Sequence, residues 1–475
     1  MKSLSLPVTD SIPIGRVRPG SLLRGGLVVG AGILIGNITG FFRVGITAYL
    51  LGTHAHADAL AVALGPVDNL NQAIINTMLV SFVPMLLLRP EADRAVIFAR
   101  AARVFACILL AISLSAALLA SPIVSLLGPG LAPDQHSQAV ILLRLASPAT
   151  LLAGSSALFG ALLYTERRFF VPALYQACLN GCTILAALTL WKFLGVEGFA
   201  VGYVAGAALQ CTIAWAASRD IRRRNRRERG RKADPVPLRA ILASPSMFLA
   251  YAGLLAVNIM VTRAFATHAG PGMAAAFDYC LRCVSVVVAY LVYPVANSLL
   301  PEIARLRGTG RIREAYQLLD RSIAMMAIVA VAACALGVFL RTPVIALLFQ
   351  RGSFTAESTL LVSGVFLGFA PGIIGWALLD LIARCLFALD RPRLPMFAAL
   401  IPLSVNLTAM LAFGRVKDPT FLTLGASAGL LTAFSALFLA IHLRRPSDVT
   451  QIPEPHDEED CEEIDHPVHV SESAS

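Results

Sequence analysis

The feature that most limits what this chain can become is the recurrence of apolar stretches about 20 residues or longer. Roughly 20 apolar residues in a helix cross a ~30 Å hydrocarbon core. Twelve such segments are legible, at about 25–52, 58–88, 96–120, 137–164, 170–193, 196–217, 240–267, 272–304, 316–340, 358–388, 394–413 and 420–443. The ten-residue alternation of a transmembrane barrel is absent. Of the 475 residues, 57% are hydrophobic and 14% charged, too little polar surface for a soluble globule. The expected fold class is an all-α polytopic membrane protein, with about 12 transmembrane helices in two parallel six-helix lobes.

Orientation follows from where Lys and Arg fall in short loops. "RDIRRRNRRERGRK" (219–232), "RPEADR" (89–94), "ERR" (166–168), "RLRGTGRIR" (305–313) and "DRPR" (390–393) share one side. The opposite loops "THAHA", "GPGLAPDQHSQ" and "THAGPG" contain no Lys or Arg. Both termini are therefore expected in the cytoplasm. The net charge of +10 is a topological signal, not a nucleic-acid footprint, and the run at 219–232 suits anionic lipid headgroups. The first 24 residues carry Lys2, Arg16, Arg18 and Arg24 without an apolar core, so no cleavable signal is expected. The nine cysteines lie mostly inside predicted spans and read as packing residues, with neither a disulfide framework nor a zinc site.

The chain repeats itself at long period. "TPVIALLFQRG" (342–352) echoes "SPIVSLLGPG" (121–130), and "ALDRPRLP" (388–395) echoes "YTERRFFVP" (164–172). "THAG" (267–270) echoes "THAH" (53–56), and "LLPEI" (299–303) echoes "FVPML" (82–86). An offset of six helices preserves orientation, the arrangement of transporters that rock one bundle against another around a site between them. The expected organisation is a segment 1–24, a first lobe 25–217, a basic linker 218–237, a second lobe 238–445 and an acidic disordered tail 446–475. His456, His466 and His469 in that tail read as part of a solvated charge run.

Ionisable residues inside spans by default mark a pathway. They are Arg43, Asp58, Asp68, Arg144, Arg263, Asp278, Arg282, Asp380 and Arg384. Arg43 is the sharpest case, since its own helix supplies no acid, although Asp58 could reach it. Arg43, Arg263 and Arg282 are placed at similar depth in both halves, and together they suit a large anion such as a pyrophosphate. Bland alternatives stand beside this reading. Asp278 could neutralise Arg282 one turn away, as Asp380 could Arg384. Arg144 and Arg263 could snorkel to the surface. Pro66, Pro84, Pro148 and "APGIIGW" (370–376) imply kinks. No Walker loop or HExxH occurs, so neither ATP-driven transport within this chain nor enzyme catalysis is expected.

Several stretches resemble the MurJ/MviN family of lipid II flippases, within the multidrug/oligosaccharidyl-lipid/polysaccharide (MOP) exporter superfamily. They are "GFFRVGITAYLLGTHAHADALAVAL", "SFVPML", "ERRFFVPALYQACLN", "AAFDYCLRCV", "VANSLLPEIARL" and "LLFQRGSFTAEST", in family order. The resemblance implies a multi-pass protein of the bacterial cytoplasmic membrane that flips an undecaprenyl-pyrophosphate-linked saccharide by alternating access. It implies no bound cofactor, and coupling to membrane potential, Na+ or H+. On the family pattern Arg43 and Arg282 match cavity arginines, Arg263 an arginine of helix 7, and Asp58 the acid opening helix 2. Asp278 and Asn71 are further gating or charge-partner candidates, Asn71 standing near an expected arginine. Asn37 and Val44 replace an arginine and an acid of the pattern. Many members have fourteen helices, so twelve would leave out the final pair.

These departures favour a flippase for another glycan over lipid II itself. A non-transporting scaffold that recruits glycan-synthesis proteins, and a drug or cation antiporter, are the alternatives. Three cavity arginines disfavour the antiporter, because they would repel cationic drugs.

Overall fold

Apolar segments that must satisfy their backbone groups without water become helices, and the described residues follow this rule. The structure is a computed structural model that describes residues 19–87, 91–228, 238–413 and 418–443. The first half comprises α1 (Pro19–Leu51), α2 (Ala55–Thr77), a π-helical turn (Met78–Phe82), α3 (Val83–Leu87), α4 (Glu91–Leu118) and α5 (Ala120–Leu127). It continues with α6 (Pro133–Ala146), α7 (Pro148–Thr165), α8 (Phe170–Ala173), α9 (Tyr175–Thr189), α10 (Trp191–Leu194) and α11 (Glu197–Ala217). After α12 (Arg219–Glu228) the second half comprises α13 (Leu238–Ala269), α14 (Met273–Gly308), α15 (Ile312–Phe349), α16 (Ala356–Ala388), α17 (Arg393–Ala398), α18 (Leu400–Phe413) and α19 (Pro419–Leu443). There is no strand among the described residues.

Among the described residues ten helical segments are long and apolar enough to cross a membrane, against the twelve expected. The two that fall short have a physical reason. α2 carries Asp58, Asp68, Asn69, Asn71, Gln72 and Asn76, which lower its hydropathy, and α9 is only 15 residues long. The expected Pro66 and Pro371 lie inside α2 and α16, and Pro148 opens α7 where α6 ends.

The repeat read from the sequence is also a repeat of packing. In the first half α1 packs on α9, α9 on α11, α11 on α7, α7 on α4, and α2 on α6. In the second half α13 packs on α18, α18 on α19, α19 on α16, α16 on α15, and α14 on α16. Arg167 (φ 57°) and Asp390 (φ 60°) are the non-glycine residues with positive φ among the described residues, and they stand 223 positions apart. Each ends its helix in the same way: Arg168 N–H donates to Leu163 at 2.9 Å, and Arg391 N–H donates to Leu386 at 2.8 Å. A left-handed turn at a non-glycine residue is uncommon, so its recurrence at matched positions fixes the register of the two halves.

α12 is folded against the first half. Ile221 is buried beside Phe82, Phe98 and Leu162. Arg168 grips both oxygens of Asp220, at 3.1 and 2.5 Å, and holds that carboxyl below its usual pKa. Arg224 pairs with Glu166, and the guanidinium groups of Arg219 and Arg222 flank Trp215. The remainder of the expected linker (229–237), the segment 1–18 and the acidic tail with His456, His466 and His469 lie outside the described residues.

Candidate anion-binding site between the two halves

The two halves meet where the α1–α2 and α13–α14 turns come together. Asp58, at the start of α2, accepts from the backbone N–H of Gly272 (2.6 Å) and Ala275 (2.9 Å) at the start of α14. A carboxylate there answers both the free N–H groups and the positive end of the helix dipole. Around it Tyr279 Oη donates to Gly52 O (2.8 Å), Ser353 N–H to Tyr49 O (2.9 Å), and Gly130 N–H to Thr267 Oγ1 (3.0 Å). Thr53 and Ser358 share a hydroxyl contact at 2.8 Å. Below this polar layer lies an aromatic one, in which Phe41 of α1 stacks on Phe349 of α15 with centroids 5.8 Å apart, and Tyr279 and Phe354 pack on Phe349. This end of the molecule is closed.

Beneath the seal, five charged side chains from four helices form one cluster. Arg43 lies eight residues from the closed end of α1, Arg263 six from that of α13, and Arg282 nine from that of α14. At 1.5 Å per residue these are depths of about 12, 9 and 14 Å. The similar depth expected of the three arginines is present.

Their partners differ from the sequence expectation. Arg43 Nη2 reaches Asp68 at 3.2 Å, not Asp58, which is committed to α14. Asp68 also accepts from Tyr203 Oη (3.0 Å), and Asn71 Nδ2 reaches the same hydroxyl at 3.3 Å. Asn71 is fully buried and meets the cluster only through Tyr203. Arg263 does not snorkel. It is 3% exposed, and its Nε and Nη2 both donate to Asp278 Oδ1, at 3.0 and 2.7 Å. Asp278 is thereby taken from Arg282, whose Nη2 instead donates across the interface to Asn37 O at 3.0 Å. Arg144 is exposed on α6.

Two glycines make room for these groups. A Cβ at Gly40 of α1 would stand 2.1 Å from Arg282 Nη2, and one at Gly65 of α2 would stand 2.4 Å from Arg263 Cζ. Neither glycine carried a sequence signal of its own. The same holds for Asp68 as the partner of Arg43 and for Tyr203 as its support.

The five groups act as one electrostatic unit. Arg43 and Arg282 feel each other's charge, and Asp278 feels both Arg43 and Asp68. Three guanidinium groups face two carboxylates, which leaves one net positive charge. Arg43 Nε, Arg263 Nη1 and Arg282 Nε are buried without a hydrogen-bond partner among the described residues. A buried charged donor left unpaired is costly, and three converging on one region suit an anion with several acceptor oxygens. No group of three or more metal-ligating side chains occurs among the described residues.

Known proteins resemble this chain in sequence and in fold. A sequence model of the family described as lipid II flippase MurJ matches residues 47–453. The probable lipid II flippase MurJ of Rhizobium meliloti is 28% identical over 405 residues, 82% of this chain and 75% of that protein. The lipid II flippase MurJ of Burkholderia cenocepacia is 24% identical over 451 residues, covering 89% and 84%. Among solved structures, lipid II flippase MurJ in an inward closed conformation superposes with a TM-score of 0.75 at 18% identity, covering 88% of this chain and 87% of that one. An inward-facing multidrug resistance MATE transporter of the MOP superfamily gives 0.72 at 12% identity, covering 86% and 94%.

Proposed function

The chain belongs to the MurJ family of lipid II flippases, and we propose that it moves a polyprenyl-pyrophosphate-linked saccharide across the bacterial cytoplasmic membrane by alternating access. It is a multi-pass membrane transporter rather than an enzyme. In this reading both termini face the cytoplasm, the closed end faces outward, and residues 25–217 and 238–445 are the two rocking lobes joined by 218–237.

The observation that carries the reading is the cluster of three arginines from both halves, each with a buried donor that lacks a partner among the described residues. A diphosphate supplies anionic oxygens to Arg43, Arg263 and Arg282 together, so its binding ties the lobes across the same cavity. Departure of the diphosphate on the outer side requires the Asp58, Tyr49 and Thr53 contacts to part, which gives the two faces alternate access. A cation antiporter on this fold needs an uncommitted cavity carboxylate. Asp68 and Asp278 are each bonded to an arginine, and Asp58 to the start of α14.

Complementation tests the reading. Although Asn37 and Val44 depart from the family pattern, likeness to lipid II flippases over most of their length makes lipid II the first substrate to test. Cells depleted of their essential lipid II flippase should grow when this chain is expressed, and Arg43→Ala or Arg282→Ala should abolish rescue while the protein still inserts. Rescue that survives both substitutions would remove the arginine cluster from transport. Failure of the unaltered chain, with normal insertion, would assign it another lipid-linked glycan if undecaprenyl pyrophosphate still binds, and a non-transporting role if it does not.

A further inference from the structure

A second pair of opposite charges inside the membrane lies on α16, apart from the three arginines. As the helical spacing led one to expect, Arg384 Nε donates to Asp380 Oδ2 at 3.0 Å. The surroundings were not legible. The guanidinium lies over the ring of Tyr293 on α14, 5.3 Å from its centroid. Tyr251 of α13 is buried close enough to feel both charges, and its hydroxyl has no partner among the described residues. The pair is not sealed, since the Arg384 and Asp380 side chains remain 30% and 19% exposed. Along α14, Tyr293 stands eleven residues further from the closed end than Arg282, about 16 Å.

The architecture does not require this pair. In the register fixed by Arg167 and Asp390, the positions matching Asp380 and Arg384 are Ala157 and Ala161. There α7 makes the equivalent packing contacts with uncharged side chains. Charges inside a span cost more than an i,i+4 contact returns. The two helices that meet the pair, α13 and α14, are also those that carry Arg263, Asp278 and Arg282.

We propose that Arg384 is an inner anion-binding station on the translocation path, which receives the substrate diphosphate from the cytoplasmic side before it reaches the arginine cluster. This rests on the flippase reading above. Asp380 holds the guanidinium by its Nε and Tyr293 bonds it from α14. A diphosphate arriving at the part-exposed pair would engage the Nη groups in exchange for the tyrosine hydroxyl. When the diphosphate moves on, the carboxylate keeps the buried charge compensated.

The test uses the full chain. Binding of undecaprenyl pyrophosphate to the purified protein in detergent is titrated by native mass spectrometry. Flipping of a fluorescent undecaprenyl-pyrophosphate-linked sugar is followed in proteoliposomes. Arg384→Gln should raise the half-saturating concentration about tenfold, the loss of one charged hydrogen bond, with a smaller change in maximal rate. Asp380→Asn frees the guanidinium and should lower it severalfold, and Arg384→Lys should restore much of what Arg384→Gln loses. Opposite signs in the first two variants are the signature. A pair that merely ties α16 to α14 would lower thermal stability in both variants and shift half-saturation in neither, and that result overturns the station. If Arg43→Ala and Arg282→Ala abolish binding while both α16 variants behave as the unaltered protein, the station alone fails. If all four bind and flip normally, the flippase reading fails with it.

Discussion

The guanidinium of Arg282 occupies the space that a side chain at Gly40 would fill. A methyl group there would stand 2.1 Å from Nη2 and 2.8 Å from Cζ. Because Gly40 lies on α1 and Arg282 on α14, the missing side chain is what lets the guanidinium reach the other half. Gly40→Ala is expected to push Arg282 off Asn37 O, and to cost about 1–3 kcal/mol of stability as overpacking does. Gly65→Ala should do the same to Arg263, which a Cβ would meet at 2.4 Å. Growth complementation should fail in both variants, whereas Gly45→Ala, with nothing within 4 Å, should be neutral. Normal growth of Gly40→Ala would mean that Arg282 need not sit where it does.

Asp68 compensates Arg43 and accepts from Tyr203 at once. Asp68→Asn keeps the shape and removes one negative charge, so the cluster gains a unit of positive charge. Stability is expected to fall by about 1.5–3 kcal/mol, the worth of a hydrogen bond to a charged group. Affinity for undecaprenyl pyrophosphate should rise while turnover slows, because the anion is held by a guanidinium with no competing carboxylate. Titration and proteoliposome flipping read the two effects separately. Weaker binding in Asp68→Asn would show that the carboxylate orients Arg43 more than it competes for it.

What was legible in the sequence is what depends on composition and spacing along one helix. Long apolar runs forced helices, and the echo of "YTERRFFVP" in "ALDRPRLP" proved to be a shared left-handed helix stop at Arg167 and Asp390. Asp380 and Arg384, one turn apart on a helix, met as spacing allows. Asp278 and Arg282 have the same spacing and did not meet. Arg263 lies 15 residues back across a turn and claims the carboxylate, while Gly40 opens a slot that draws Arg282 to the other half. Partner choice among buried charges is decided by which backbones approach closely, and glycine controls that approach without a signature in hydropathy. For the same reason Asp58, read as a partner for Arg43, serves instead to cap α14.

That cap should behave as a latch. Asp58 holds two backbone N–H groups of the opposite half, each a charge-assisted hydrogen bond worth about 1.5–3 kcal/mol. Asp58→Ala is expected to shift the protein toward an open outer face. Thr53→Cys, placed beside Ser358 at the closed end, reports this by reaction with a membrane-impermeant maleimide added from outside. Labelling should be slow with Asp58 present and faster by tenfold or so without it. Equal rates would show that the aromatic layer of Phe41 and Phe349 closes the outer face by itself.

The clasp of Arg168 on Asp220 gives a pH dependence at the end of the molecule that carries α12. The folded-state carboxyl is depressed below its usual value. Its contribution to stability is therefore present above the usual carboxylate pKa, and is lost as pH falls through the depressed value. Fluorescence of Trp215, which lies between Arg219 and Arg222, should be steady from neutral pH to about 5 and change below about 4. Asp220→Asn should show the low-pH signal already at neutral pH. A Trp191→Phe, Trp376→Phe background isolates the probe. A signal in that variant that still titrates below pH 4 would assign the change to another carboxylate.

The two halves also use one device to hold their first helices, and its energetics can be checked. Asn180 of α9 donates to Gly36 O at 3.2 Å and lies 3.4 Å from Thr39 Oγ1 on α1. Asn406 of α18 donates to Asn258 Oδ1 at 2.8 Å and Thr262 Oγ1 at 2.9 Å on α13. α1 carries Arg43 and α13 carries Arg263, so each amide fixes the helix that presents an arginine. Hydrogen bonds between membrane helices contribute about 0.6 kcal/mol on average and up to about 1.7. Asn180→Leu should thus cost about 1 kcal/mol and Asn406→Leu, with its two good acceptors, somewhat more. The sites lie in different halves with no shared partner, so the double variant should show the sum within about 0.5 kcal/mol. Unfolding followed in mixed micelles measures all three. A double variant no less stable than Asn406→Leu alone would mean that the halves unfold separately, with the second half giving way first.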